Sequence, residues 1–323
     1  MPTNSTQGSA QAGRNTRIDV HTHVVPPFWG EALPTHGGDP SGWALPAWSP
    51  ETALEFMEVQ KIQTKVLSLT APGVTGWPIA ERAAVCRRIN EYVQDLCHKY
   101  PGRFGNFASL PLPDVEGSVK EVEYGLDTLG VDGFVVYTNY DGVYLGDKRF
   151  EPVWKAINDR KGVVFIHPSH LQLEVLAGQP GPLVDYPFDT TRTAVHMTLN
   201  GVLTRNPDIK FILSHAGGFL PYAALRFAKL GASIHPQGPS SEEILKQFKS
   251  FYFDTALSSG PYALPALLEF AGKDHILYGS DFPYASAAVS GEFTHLLDNG
   301  SNIPEETTHA INTNAAKILK RFQ

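Results

Sequence analysis

The feature that most constrains this chain is an alternation, repeated eight times, of a short apolar segment with a segment of helical periodicity. The apolar segments are rich in β-branched and aromatic residues, as buried parallel strands are. We predict strands over Arg17–Val20, Lys65–Leu69, Gly105–Leu110, Gly133–Val136, Val163–Ile166, Phe211–Leu213, Phe251–Phe253 and Ile276–Tyr278. Eight such units in 323 residues predict an α/β fold of the (β/α)8 (TIM) barrel type. A doubly wound sheet is the alternative, but no glycine-rich phosphate-binding sequence follows the first strand.

Two loops of the predicted barrel are unusually long, those after strands one and five. Both lie on the top face, the face that carries the catalytic groups of barrel enzymes. Residues 1–16 (MPTNSTQGSAQAGRNT) are small and polar, so we predict a flexible N-terminal tail followed by a single domain over residues 17–323. The tail lacks the apolar segment of a secretory signal, which favours a cytoplasmic protein.

Composition argues against two classes of partner. The chain has 26 Lys and Arg residues against 33 Asp and Glu, a net charge of −7, with no basic cluster, so we expect no nucleic-acid binding. No apolar run approaches the roughly 18–20 residues of a membrane span, so we expect no membrane insertion. The two cysteines, Cys86 and Cys97, are eleven residues apart on a predicted helix. That spacing is about 16 Å, too far for a disulfide, and free thiols fit a reducing compartment.

Residue types that bind metal ions follow four of the predicted strands. His21 and His23 follow the first strand directly, and side chains two apart on an extended chain point to the same side. His167 follows the fifth strand and Asp281 the eighth. Strand ends meet on one rim of a closed barrel, so we expect all four to bind one divalent ion, zinc, with manganese as the alternative. His215, which follows the sixth strand, is then expected beside the ion as an acid or base.

Each of these residues taken alone has an ordinary structural explanation. A His-x-His pair can be two polar strand residues, His167 can be a buried histidine bonded to backbone, and Asp281 can cap the last helix. The occurrence of all of them at strand ends favours the metal site. The fourth predicted strand, GFVVYTN, has no lysine that could be carbamylated to bridge a second ion, so we expect a single ion.

Four motifs give the chain a family resemblance: IDVHTHVVP, GVVFIHP, NPDIKFILSHAGGFLPY and ILYGSDFPY. They resemble the metal-dependent decarboxylases of the amidohydrolase superfamily, which include the aminocarboxymuconate-semialdehyde and γ-resorcylate decarboxylases. The segment GVYLGDKRFEPVWKAINDRKGVVFIHP is most similar to the 6-methylsalicylate decarboxylases. The resemblance implies a metal ion held by His21, His23, His167 and Asp281, His215 as the catalytic histidine, and a homodimer.

The loops bear on the substrate. The muconate-semialdehyde enzymes use an arginine upstream of a Trp-x-Pro-Glu stretch to hold a second carboxylate. The corresponding segment here, WALPAWSPE over residues 43–51, has no arginine, which argues against a dicarboxylate. Arg226 matches an arginine that those enzymes contribute across the dimer, although a solvated helix arginine is equally compatible. The aromatic residues Trp77, Phe188 and Tyr284 are predicted to contact an aromatic substrate, with packing as their alternative role.

The resemblance implies non-oxidative decarboxylation of an ortho-hydroxybenzoate, with 6-methylsalicylate to 3-methylphenol and CO2 as the best candidate. In that reaction Asp281 or His215 would protonate the ring. The same residues are compatible with a metal-dependent hydrolase of an ester, lactone or amide, or with a decarboxylase of another aromatic or muconate-type acid. A non-catalytic metal-binding barrel that serves as a partner subunit is a third class. Product analysis separates these alternatives.

Overall fold

The computed structural model describes residues 16–171, 176–300 and 302–322. Eight parallel strands form one sheet, and their order in the sheet follows their order in the chain. They are β1 (Arg17–His23), β2 (Ile62–Ser68), β3 (Phe104–Ser109), β4 (Gly133–Tyr137), β5 (Val163–His167), β6 (Lys210–Leu213), β7 (Tyr252–Asp254) and β8 (Ile276–Leu277). With helices between the strands, this confirms the predicted (β/α)8 barrel.

Hydrogen bonds between the first and last strands close the sheet. The N–H of Val20 donates to the carbonyl of Tyr278 at 3.0 Å, and the N–H of His23 donates to the carbonyl of Phe282 at 2.8 Å. Large buried side chains fill the core, among them Phe107 and Phe165, whose rings stack at 5.9 Å. Closure brings the carboxyl ends of all eight strands onto one rim, where the candidate site lies.

The helices cover the outside of the sheet. They are α1 (Pro27–Ala32), α2 (Pro50–Val59), α3 (Ile79–Lys99), α4 (Val115–Tyr124), α5 (Glu151–Asn158), α6 (Asp185–Leu199), α7 (Val202–Arg205), α8 (Leu220–Ile234), α9 (Ser241–Phe248), α10 (Leu264–Ala271), α11 (Ala287–His295), α12 (Glu305–Thr313) and α13 (Ala315–Ile318). Helices α6 and α7 are separated at Gly201, which adopts a φ of +72° between them.

Two connections on the carboxyl side of the strands bear on the site. Residues 24–49, which include α1, follow β1, and residues 168–184 follow β5. Apart from Thr16, the predicted N-terminal tail lies outside the described residues. Across the described ranges, none of the helices has both the length and the apolar character needed to cross a bilayer.

Candidate metal centre

Four buried side chains converge at the rim of the barrel. His21 and His23 lie on one side of β1, His167 is the last residue of β5, and Asp281 follows β8. One nitrogen from each imidazole and one carboxylate oxygen all lie within 4.8 Å of one another. The structure therefore brings together the four residues that the sequence predicts as ligands.

The ring of His21 is held by Asp254, the last residue of β7. Nδ1 of His21 lies 2.8 Å from Oδ2 of Asp254, and both side chains are fully buried. A carboxylate accepts the hydrogen on Nδ1, so Nε2 of His21 faces the centre of the group. Such a carboxylate–histidine pair orients an imidazole toward a metal ion and makes it a stronger base.

The other two rings are oriented in the same way. Nδ1 of His167 lies 2.8 Å from the carbonyl oxygen of Pro168, which can only accept, so this nitrogen carries the hydrogen. Nδ1 of His23 lies 3.2 Å from the hydroxyl of Ser68, whose own hydrogen is donated to the carbonyl of Thr22. Nε2 of each ring is therefore left with a lone pair, as metal coordination requires.

The inward-facing nitrogen and oxygen atoms are better placed to coordinate a shared cation than to form hydrogen bonds with one another. Nε2 of His21 and Nε2 of His23 both lie 3.1 Å from the same oxygen, Oδ1 of Asp281. Nε2 of His21 is buried and has no well-aligned hydrogen-bond partner among the described residues. Three nitrogens and one carboxylate oxygen form a donor set that suits a single divalent transition-metal ion.

The electrostatics also indicate a site for positive charge. Burial opposes the charged form of His21, but Asp254 and Asp281 outweigh it and raise the pKa of His21 to about 10. Burial favours the neutral acid of Asp281, yet the imidazoles, His21 first, hold its pKa well below the ordinary value. Burial and the neighbouring rings lower the pKa of His167. A divalent ion would replace the proton on His21, so we expect metal uptake to release a proton.

Asp281 is fixed in an unusual backbone conformation. Its φ is +60°, and its N–H donates to the carbonyl of His21 at 2.8 Å. The preceding residue, Ser280, donates both its N–H (3.0 Å) and its hydroxyl (2.6 Å) to the carboxylate of Asp19. Lys65 lies 3.4 Å from that carboxylate in a fully buried ion pair. Left-handed backbone at a non-glycine residue is typical of functional sites that the surrounding structure holds in place.

His215 lies beside the four candidate ligands. Its φ is +51°, and its N–H donates to Oδ1 of Asp254 at 3.0 Å. Nε2 of His215 is 3.4 Å from Oδ2 of Asp281, and its Nδ1 is buried with no hydrogen-bond partner among the described residues. An imidazole in this place can exchange protons with a molecule bound next to the carboxylate of Asp281.

A cavity of about 720 Å³ opens above the centre. His167, His215 and Asp281 line its floor, and its walls include Tyr186 and Tyr284. Among the described residues that line it there is no lysine or arginine. A bound anion would therefore depend on the metal centre for its positive charge.

The structure gives the four predicted substrate-contact residues different surroundings. Tyr284 lines the cavity, and its ring lies 5.5 Å from that of His23. Trp77 is buried in a second apolar cluster and does not line the cavity. Phe188 is partly exposed and packs against a residue of the cavity wall, Phe219, at 4.3 Å. Arg226 lies on the exposed face of α8, outside the lining.

Asp254 is the functional residue that sequence reasoning missed. The rule that selected the histidines, a polar side chain at the carboxyl end of a predicted strand, also fits Asp254, which follows Phe251–Phe253 directly. Asp39 and Tyr186 of the cavity were also missed. Asp39 lies in the long connection after β1, and Tyr186 lies in the first turn of α6, directly after the long connection that follows β5. The sequence pattern does not fix which side chains of these segments point inward.

Comparison with known proteins places the chain in a family. The amidohydrolase family model (Amidohydro_2) matches residues 18–321. A protein named decarboxylase yanB from Aspergillus niger is 43% identical over an alignment of 324 positions, which covers 95% of this chain and 88% of that protein. The 6-methylsalicylic acid decarboxylase of Penicillium expansum is 41% identical over 312 residues, which cover 94% of this chain and 95% of that enzyme.

Solved structures share the fold. A crystal structure titled as an amidohydrolase II has a TM-score of 0.87 at 33% identity, covering 94% of this chain and 99% of its own. A dihydroxybenzoic acid decarboxylase from Polaromonas sp. JS666, solved with manganese and the inhibitor 2-nitroresorcinol, has a TM-score of 0.79 at 24% identity. That alignment covers 96% of this chain and 98% of the other.

Proposed function

Since this chain belongs to the amidohydrolase family, we propose that it is a metal-dependent, non-oxidative decarboxylase, a carboxy-lyase, of an ortho-hydroxybenzoate. The best candidate reaction converts 6-methylsalicylate to 3-methylphenol and CO2. The observation that carries this proposal is the buried group of His21, His23, His167 and Asp281, of which His167 and Asp281 line the cavity. The identity of 41% to a 6-methylsalicylic acid decarboxylase over almost the full length of both chains supports the substrate class.

We propose zinc as the ion, with manganese as the alternative. Three imidazoles and one carboxylate suit zinc, whereas the bound manganese of the Polaromonas decarboxylase favours the alternative. Bound there, a divalent ion would attract the carboxylate and phenol oxygens of the substrate and stabilise negative charge on them. Reconstitution of metal-free protein with each ion, followed by an activity assay, distinguishes the two.

Protonation of the substrate ring is the part of the reaction that the chain's own side chains carry out. Loss of CO2 from an aromatic ring would leave a carbanion unless the ring carbon that bears the carboxylate is protonated first. The donor is Nε2 of His215 or the carboxyl group of Asp281, which face the cavity 3.4 Å apart. The bond to the carboxylate then breaks, its electron pair restores the aromatic ring, and the donor regains a proton from solvent.

The test is a panel of substituted salicylates, with CO2 and the phenol product both measured. We expect one equivalent of phenol for each CO2, and loss of turnover in Asp281→Asn even when the ion remains bound. Cleaved acyl products from an ester, lactone or amide would identify the hydrolase instead. Turnover that survives Asp281→Asn unchanged would contradict the role of this carboxylate.

We propose a homodimer that uses α8. The exposed face of this helix carries Tyr222, Leu225, Leu230 and Ile234 around Arg226, an unusual concentration of apolar side chains in contact with water. Burial of this face against a second copy would remove these side chains from solvent. It would also bring Arg226 near the partner, as the family resemblance implies.

We also propose a cytoplasmic location. Cys86 and Cys97 are both buried and free, as expected for structural thiols in a reducing compartment. Localisation of a fluorescent fusion of the full chain tests this assignment.

A further inference from the structure

The cavity above the metal centre contains a carboxylate that the proposed reaction does not use. Asp39 lies in the connection between β1 and α2 and lines the cavity of about 720 Å³. It also lines a smaller cavity of about 130 Å³, and Ala71 and Tyr186 line both cavities as well. Asp39 therefore lies where the two cavities meet.

This corner of the cavity is acidic. The smaller cavity has a second carboxylate, Asp141, and His170 is the basic side chain among the described residues that line it. Oδ1 of Asp39 accepts a hydrogen bond from the N–H of Ser41 at 2.8 Å, which stabilises its charged form. Burial acts in the opposite direction and raises the pKa of Asp39. A ring substituent that reaches this corner meets two carboxylates and one imidazole.

Asp39 lines the same cavity as His167, His215 and Asp281 at the metal centre. The side chains of Tyr186 and Tyr284 line the same cavity, and burial first, then the charges of Asp39 and Asp281, raises the pKa of each tyrosine. Both tyrosines therefore stay neutral and lie within electrostatic reach of both carboxylates. A substrate between them experiences the charge of Asp39 as well.

We propose that Asp39 is a specificity-determining residue that excludes aromatic acids with a second carboxylate and restricts the site to monocarboxylates. This inference rests on the proposed function for its substrate class. The metal centre compensates the charge of one substrate carboxylate, and a second one would lie near Asp39 without a lysine or arginine among the described lining residues. At an effective dielectric constant of about 20, two unit charges about 10 Å apart repel enough to weaken binding roughly tenfold.

The experiment compares wild type, Asp39→Asn and Asp208→Asn, all loaded with metal. Asparagine can still accept the hydrogen bond from Ser41, so the loop is expected to keep its shape. Asp208 is exposed and precedes β6 at the opposite end of the barrel, so its replacement makes the same change in net charge away from the cavity. The value of kcat/KM is measured for 6-methylsalicylate and for a set of hydroxybenzenedicarboxylates.

Binding is measured in parallel by calorimetry with benzoate and isophthalate, so that discrimination is scored even if no decarboxylation occurs. We expect Asp39→Asn to raise kcat/KM for a dicarboxylate, or to lower its Kd, by about tenfold or more relative to the monocarboxylate. In Asp208→Asn the same ratios should equal those of wild type. The inference would be overturned if, in Asp39→Asn, the ratio of kcat/KM or of Kd between dicarboxylate and monocarboxylate stayed within twofold of the wild-type ratio for every dicarboxylate. Absence of decarboxylation in wild type, with discrimination in binding intact, would instead reject the proposed function alone.

Discussion

Replacement of Asp254 with asparagine tests how the metal centre is held in place. Oδ1 of Asp254 accepts hydrogen bonds from the N–H groups of His215 (3.0 Å) and Ala256 (2.9 Å), and Oδ2 faces Nδ1 of His21 at 2.8 Å. The single oxygen of asparagine has two backbone donors to satisfy, so the amide nitrogen is left facing His21. Two donors then meet, so His21 is expected to give up the hydrogen on Nδ1 and to keep one on Nε2.

The size of the effect follows from that change of tautomer. A hydrogen on Nε2 occupies the position of the lone pair that would bind the metal. Metal binding therefore requires the hydrogen to lie on Nδ1 instead, where it faces the amide N–H of the asparagine. Loss of a side chain that orients a metal ligand typically weakens metal binding by about 10- to 100-fold. That range corresponds to about 1.4–2.8 kcal/mol, and it is consistent with loss of one buried hydrogen bond to a charged group.

The measurement is the zinc affinity of metal-free protein, obtained by competition with a chelating dye. Asp132→Asn is the matched control, because Asp132 is also buried and accepts from the N–H of Asn106 and from Arg321, but it precedes β4 at the other end of the barrel. We expect Asp132→Asn to lower the free energy of unfolding and leave zinc affinity unchanged. Zinc affinity equal to wild type in folded Asp254→Asn would refute the argument.

Three further predictions concern the ligands, a buried ion pair and the dimer. The double variant His21→Ala, His23→Ala should contain no bound metal by mass spectrometry and show no turnover; an active, metal-free double variant would contradict the assigned site. Lys65→Met removes the cation of a fully buried ion pair and should lower the free energy of unfolding in urea by about 3–5 kcal/mol, whereas Lys155→Met, at an exposed pair, should change nothing measurable. If α8 forms the proposed dimer interface, wild type should have the mass of a dimer and Leu230→Glu that of a monomer in light scattering, and an equal mass of the two would rule out this face as the interface.

The strand and helix pattern was sufficient to predict the barrel, and its errors in the strands lie at their boundaries. The eight predicted strands all correspond to barrel strands, but β1 continues through His23 instead of ending at Val20. Polar residues interrupt the apolar pattern there because their side chains turn toward a metal site. Helix α9 does not follow from the apolar pattern, although Ser240 and Glu243 form the reciprocal cap that marks a helix start. Its short length, Ser241–Phe248, leaves too few turns for a clear periodicity.

The four ligands can be predicted from one rule, that the carboxyl ends of all the strands lie on one rim of the barrel. The residues of the cavity walls cannot be predicted from such a rule. Strand ends are fixed by the fold class, so the positions of His21, His23, His167 and Asp281 follow from it. Wall residues depend on how long connections fold back over the rim. Trp77, an aromatic residue in the connection between β2 and α3, shows the difficulty, because it is buried in a separate cluster and not in the cavity wall.

The ligands come from opposite ends of the chain, and Asp19 explains how they keep their relative positions. It lies on β1 two residues before His21, whose N–H donates to its Oδ1 at 3.2 Å, and it also accepts both hydrogen bonds from Ser280, next to Asp281. A carboxylate with no exposure to water would be costly alone, and Lys65 compensates its charge at 3.4 Å. The acidic residue of the Asp-x-His-x-His sequence therefore joins the first and last ligand segments. Its structural role accounts for a ligand set that spans 260 residues of chain yet converges on one point.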